Sequence, residues 1–412
     1  MKSLPHTLHA LMGSLVIAGV LAGAWRAGAG SISGAVTAQD GVTPIADLEV
    51  TAWKAGAFLW TGYKKVTSAN GTYSFTGLGA GTYRIEFNQS DNPNYAHQTY
   101  SNVTMLSEGL PLTVTADSVH TNINGRLPPA SKIAGKIYRP DGVTGLAGIT
   151  ATAHQYDTVL GWRQLGDYAD SDGNGVYLLG GLASGVYRVQ YEDFLNGDYV
   201  SQVYSNARSL SEGSNITVTT ASTTTSINVT MHQAGKISGQ VWGTNGTPLA
   251  DGSVDALVRS GSGWDYADSQ DGYLDASGRY TLGGLSSGTY RVQFVTYADD
   301  ILDEIYDDAL ERDQGEDVVV TAGATVSNIN AVLDRPAWPP RIVRQTLTSG
   351  GNLEVAYTST SGASCVLEEG VFTGTGFVWT NADPFPSYNI KGVNTMNRFG
   401  SASQLFLRVV SP

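Results

Sequence analysis

One seventeen-residue segment occurs three times in this chain, and that repetition limits the fold more than any single motif does. It has the form G-x-Y-x-x-x-G-L-x-x-G-x-Y-R-[IV]-[EQ]-[FY] and spans 71–87, 175–191 and 278–294. Its central leucines, Leu78, Leu182 and Leu285, are 104 and 103 residues apart. Each copy is preceded by an alternating segment, Ser31–Val36, Lys132–Ile137 or Lys236–Val241. Each is followed by a short closing one: Asn122-Ile-Asn124, Ile227-Asn-Val229 or Ile329-Asn-Ala331. A period near one hundred is too long for a solenoid repeat and suits a self-contained domain, so the reading is of beads in tandem.

Within a bead the hydrophobic period is two, as in Tyr83, Ile85 and Phe87 against Arg84 and Glu86. No long amphipathic helix is expected. About seven short strands per bead, with turns every ten residues or so, suit a Greek-key sandwich of two sheets. The expected fold is therefore all-β: three tandem Greek-key, Ig-like sandwiches and a small C-terminal β-domain. In the Gly-Leu-x-x-Gly turn the leucine is expected to plug the end of the sandwich. The flanking glycines allow positive φ, so the chain can reverse into the Tyr-Arg-Val strand.

These strings, each with its opening strand (Lys-Ile-x-Gly in the second and third beads), resemble the carboxypeptidase-regulatory-like and Cna-B-like modules of secreted bacterial proteins. The resemblance covers about three quarters of the chain and implies a prealbumin-like, or carbohydrate-binding-like, sandwich. It leaves function open, because such modules serve as spacers, as adhesin stalks and beside enzymes. Cna-B-like relatives can also join a first-strand lysine to a late Asn by an isopeptide bond. Lys132 with Asn228 and Lys236 with Asn330 are the corresponding pairs, whereas the first bead has Ser31.

The chain divides accordingly. Lys2, the apolar run Leu11–Leu21 and Ala27-Gly28-Ala29 read as a secretory signal peptide over 1–29, cleaved after Ala29. The modules are expected at 30–129, 130–233 and 234–334, a Pro-rich linker at 335–341, and the last β-domain at 342–412. That last segment resembles the short C-terminal β-sandwich of many exported bacterial proteins.

A net charge of −13 removes nucleic acid and anionic lipid as partners of the whole protein, and no membrane insertion is expected once the signal is removed. The single cysteine, Cys365, permits neither an internal disulfide nor a thiolate zinc cage. Gly284-Leu-Ser-Ser-Gly288 matches the serine-hydrolase elbow G-x-S-x-G, but Ala183 and Gly79 replace Ser286 in the other copies. No catalytic residue is expected. Asp170, Asp172 and Asn174 fit the first half of a calcium loop, with Gly181 where the closing glutamate would stand, so calcium is the one ion suggested and no cofactor is required.

Trp60, Trp162 and Trp264 recur 13 to 16 residues before the strand tyrosine, with Tyr63, Tyr168 and Tyr266 nearby. An exposed indole offers a flat apolar face to a pyranose ring, and the alternative is packing at the sandwich edge. The leading expectation is a secreted or cell-surface, non-enzymatic protein that binds polysaccharide or a surface glycan through these six aromatics. The alternative is a structural spacer or adhesin stalk with protein partners. An accessory protein of starch-like polysaccharide degradation is a further one.

Overall fold

The computed structural model describes residues 29–55, 61–88, 94–166, 168–267, 269, 272–298 and 301–333, and the backbone of strands between 342 and 410. In the first module the strands are β1 (Gly30–Ala38), β2 (Glu49–Lys54), β3 (Thr61–Val66), β4 (Thr72–Leu78), β5 (Gly81–Asn88), β6 (Gln98–Thr99), β7 (Leu112–Val114), β8 (Val119–His120) and β9 (Gly125–Leu127). One sheet joins β4, β1, β8 and β9, and the other joins β3, β2, β5, β6 and β7. The second and third modules repeat this arrangement. Among the described residues the one helical element is a 3₁₀ turn, Leu106–Glu108. The sequence reading of an all-β chain of sandwiches is borne out.

The two-residue alternation decides which face of each strand turns inward. Ile32, Val36, Tyr83, Ile85 and Phe87 are fully buried, and the second and third modules bury the equivalent Ile133, Ile137, Tyr187, Val189 and Tyr191, and Ile237, Val241, Tyr290, Val292 and Phe294. Each such side chain contributes about 1.5–3 kcal/mol of burial. Leu78, Leu182 and Leu285 are buried at the end of each sandwich, and Gly77, Gly181 and Gly284 before them have φ of +78°, +71° and +75°. Tyr83, Tyr187 and Tyr290 lock the turn by donating to the carbonyls of Gly79, Ala183 and Ser286 at 2.8, 3.0 and 2.9 Å. Ser286 thus lies in a hairpin between two strands.

The closing segment is held by a triad of interactions found in all three copies. β1 runs parallel to β8 and then to β9, and between these pairings the chain swings out through Ile123. The Ile123 carbonyl turns back toward Gly34 and accepts the Tyr73 hydroxyl at 2.5 Å, as Ile227 accepts Tyr177 at 2.7 Å and Ile329 accepts Tyr280 at 2.6 Å. Any β-carbon at Gly34, Gly135 or Gly239 would overlap that carbonyl. Asn124, Asn228 and Asn330 then carry the ladder across the gap. Each side-chain oxygen accepts a first-strand N–H, from Ala35, Lys136 or Gln240, at 2.9 Å. The asparagines that an isopeptide bond would use are thus engaged with backbone, and Lys236 is directed elsewhere, to Asp198 at 2.7 Å.

The last segment forms two antiparallel sheets: Ile342–Leu347, Leu353–Ser359 and Gly392–Arg398 in one, and Ser364–Phe372, Phe377–Asn381, Ser387–Tyr388 and Phe406–Val410 in the other. The linker 335–341 lies outside the described residues, as does the signal peptide except for Ala29. No helix among the described residues is long and apolar enough to cross a membrane.

Because the Gly135 contact is with backbone, Gly135→Ala is expected to destabilise the second module by about 3 kcal/mol in urea unfolding of the full chain. Gly173→Ala, whose new carbon meets nothing within 4 Å, should stay within about 0.5 kcal/mol.

Candidate functional site at the first inter-module joint

Glu86 stands on the outward face of β5, opposite Thr51 of β2, yet it is only 1% exposed. Three groups cover it. The Trp53 indole N–H donates to Oε2 at 2.6 Å, Arg163 Nη2 of the second module meets Oε1 at 2.8 Å, and His97 Nε2 approaches Oε1 at 3.3 Å. Alternation along β5 correctly turns Glu86 away from its own core, but the neighbouring module covers it. The signal was present in the repeats, which carry Gln190 and Gln293 at the equivalent positions.

Burial works to raise the Glu86 carboxyl, but His97, Arg163 and the donated hydrogen bonds outweigh it and hold the group below the ordinary carboxylate range. Burial dominates at His97 and pushes the imidazole down, against the pull of Glu86. Nε2 faces the Thr104 carbonyl at 3.2 Å as well as Glu86, and both are acceptors, so Nε2 carries a proton.

Backbone contacts extend this joint. The His97 N–H donates to the Gly181 carbonyl at 3.1 Å, and the Ser107 N–H donates to Asp157 Oδ2 at 3.0 Å. Asp157 Oδ1 meanwhile accepts the N–H groups of Val159 and Leu160, which fixes the edge hairpin of the second module. Met105 of the first module is buried within the hydrophobic core of the second. At the second joint Gly284 N–H donates to Gly197 at 2.9 Å, and Lys236 pairs with Asp198 and donates to the Asn196 carbonyl at 2.9 Å. Gly181 and Gly284 are the same turn glycine in successive repeats, so one turn receives the preceding module at both joints.

The aromatic candidates occupy different environments. Trp162, in the edge strand Gly161–Gln164, is half-buried, with Tyr156 edge-on at 5.3 Å and the Arg188 guanidinium over its ring at 4.7 Å. Trp264 is 9% exposed, packs with Leu257, Ile305 and Ala309, and has Arg291 over its ring at 4.4 Å. It is a packing residue: cation and aliphatic groups occupy its surroundings where a sugar would have to sit. Tyr63, Tyr168 and Tyr266 are exposed, the last with Arg312 over its ring at 4.7 Å. Trp60 lies outside the described residues.

The spacing read as half a calcium loop has a local explanation. Asp172 Oδ1 accepts the N–H groups of Asn174 and Val176 at 2.9 and 2.8 Å, and Asp275 does the same for Ser277 and Arg279. Ser68 fills this role in the first module by accepting the Thr72 N–H. Asp170 accepts the Thr150 hydroxyl at 2.6 Å. Among the described residues no three His, Cys, Asp or Glu side chains gather as metal ligands do. Within the third module, Asp317 pairs with Arg291 at 3.0 Å and Asp303 accepts the Thr296 N–H at 3.1 Å.

No protein-family model matches the chain, neither of the two module families it resembles nor any other, and no curated protein matches it. Among solved structures it is similar to the streptococcal ancillary pilin, at 11% identity over 74% of this chain and 99% of that one, with a TM-score of 0.26. It is similar also to a minor pilin of Streptococcus agalactiae, at 14% identity over 52% of this chain and 100% of that one, with a TM-score of 0.23. BcpA, the major pilin subunit of Bacillus cereus, shares 12% identity over 74% of this chain and 99% of that one, with a TM-score of 0.17.

Acid should loosen the joint. A histidine held below its ordinary pKa of about 6.5 favours the docked state fully above that pH and loses the contribution as pH falls. Glu86, also lowered, adds a loss in the same direction at lower pH. His154, pushed down to about 4 by burial, loses its contribution in the same direction within the second module, starting as pH falls below the ordinary value of about 6.5. Melting of the full chain should therefore fall between pH 7 and pH 5, and His97→Gln with His154→Leu should remove most of that slope. Leucine is the residue the third module carries at this place, Leu257. Separately, Asp172→Ala should cost about 1 kcal/mol by urea titration, equally in calcium and in EDTA, because the lost contacts are to backbone.

Proposed function

We propose that the chain is a non-enzymatic structural spacer, a stalk of β-sandwiches that acts outside the cytoplasm and holds its ends apart for protein partners. Of the roles weighed from sequence, this one is better supported than glycan binding through three equivalent tryptophans, since Trp264 is packed and Trp162 is only half-buried. The observation that carries the reading is the charged, buried first joint. Removing one partner of such an ion pair typically costs about 3–5 kcal/mol, so Glu86 and Arg163 resist separation, and Met105 and the Ser107–Asp157 hydrogen bond oppose rotation. Modules joined only by flexible peptide would need none of these contacts.

The test is the spread of distances between modules. Spin labels at the exposed positions Val42→Cys and Val143→Cys, in a full chain carrying Cys365→Ser, should give one narrow distance distribution. Arg163→Ala should broaden it severalfold. A wild-type distribution as wide as that of a free linker would sink the spacer reading.

A further inference from the structure

The turn that receives a preceding module has one internal geometry in all three copies and two different surroundings. Gly77, Gly181 and Gly284 share a positive φ, the leucine after each is buried, and a tyrosine hydroxyl ties each turn to itself. Yet Gly180-Gly181 and Gly283-Gly284 are buried, whereas Thr76-Gly77 is exposed. The turn itself therefore does not set the burial; what lies against it does. Among the described residues, a β-carbon on Gly77 would meet nothing within 4 Å.

The position before the turn glycine changes in step with this burial. It is Gly180 in the second module, Gly283 in the third and Thr76 in the first. Gly283 lies within the strand Arg279–Leu285 and has no positive φ, so conformational freedom does not account for it. The reason is steric. A β-carbon there would stand 2.8 Å from the Cα and 2.9 Å from the carbonyl oxygen of Gly197, the second-module residue that accepts the Gly284 N–H. Carbon atoms pack best at about 3.5–4.0 Å. The obstructing atoms are backbone, so no side-chain rotation relieves the overlap.

Thr76 shows that the fold of a module does not itself require glycine at this place. The first module makes the same strand, the same turn and the same tyrosine lock with a branched side chain there. Glycine is needed only where another module's backbone must come close.

We infer that the residue before the turn glycine decides whether a sandwich can seat a module ahead of it. Glycine at 283, and at the matching 180, admits the preceding module, and Thr76 closes the first turn to any such module, one from a second copy of this chain included. A head-to-tail contact that repeats without closing extends into a filament unless one end is shut. Thr76 shuts that end, so the modules of one chain stack in order and copies do not add to the first seat. This goes beyond the spacer reading, which concerns how firmly modules are held and not which may follow which.

The test places spin labels at Val143→Cys and Val319→Cys, exposed positions of the second and third modules, in the full chain carrying Cys365→Ser. The wild type should give one narrow distance distribution. Gly283→Thr should broaden it severalfold while leaving the distances between labels at Val42→Cys and Val143→Cys as they were. Gly283→Ala, which adds the β-carbon alone, should also broaden it and keeps the test open if the threonine variant does not fold. Narrow distances retained in the folded variants, or a broad wild-type distribution at this second joint, would overturn the inference. Either result leaves the first-joint distances, on which the spacer reading is tested, untouched. Sedimentation velocity of the wild type should show one species whose size is independent of concentration. Association that Thr76→Arg abolishes would put a second copy on the first seat and overturn the inference as well.

Discussion

Each sandwich depends on a carbonyl oxygen that reaches through the space left by an absent side chain. At Ile123, Ile227 and Ile329 the closing segment turns its carbonyl inward over Gly34, Gly135 or Gly239, to a buried tyrosine hydroxyl. That bond satisfies a carbonyl turned away from the ladder, and at Ile227 a second hydroxyl, that of Tyr191, approaches it at 3.4 Å. Without the glycine the carbonyl could not approach. The first strand can then pair with one strand before the excursion and another after it, while asparagine oxygens bridge the interval. One tyrosine, one glycine and one asparagine per hundred residues thereby fix how the last strands register on the first, and the rest of the core packs around that register.

Much of this could be read in advance because it is periodic or repeated. Alternation separated Tyr83, Ile85 and Phe87 from Arg84 and Glu86, and the positive φ of Gly77, Gly181 and Gly284 follows from a turn that needs it. The site was less legible, for physical reasons. Glu86 reads as a solvated charge until a second module is placed over it, and no local pattern encodes that placement. Trp162 and Trp264 share a position in the repeat but differ in exposure, because the residues around them, His154 against Leu257 for example, are not repeated. Asp172 looks like a ligand since turn formation and calcium binding call for the same oxygen-rich residues.

The two joints show the same division between what repeats and what does not. Both use the first glycine of the Gly-Leu turn as a docking point, so the repeated element supplies the seat. Charge chemistry differs from seat to seat: Glu86 is replaced by Gln190 and Gln293 in the other copies, whereas Lys236 repeats Lys132 and takes its partner, Asp198, from the second module. The first joint buries a carboxylate between an imidazole and a guanidinium, out of reach of salt, whereas Lys236 and Asp198 at the second are partly exposed and open to screening. Ionic strength and acidity therefore act on different joints of one chain.

Met105 shows that the unit copied in the sequence and the unit that folds do not coincide. A boundary drawn between the first two repeats leaves this methionine with the first, although its side chain fills space inside the second. A second repeat excised or transplanted at that boundary would carry a dent where the thioether had been. Recombination between repeats would have to move the segment before the boundary along with the module after it. The chain is in this sense less interchangeable than its repeats suggest, and order along it is written into the packing.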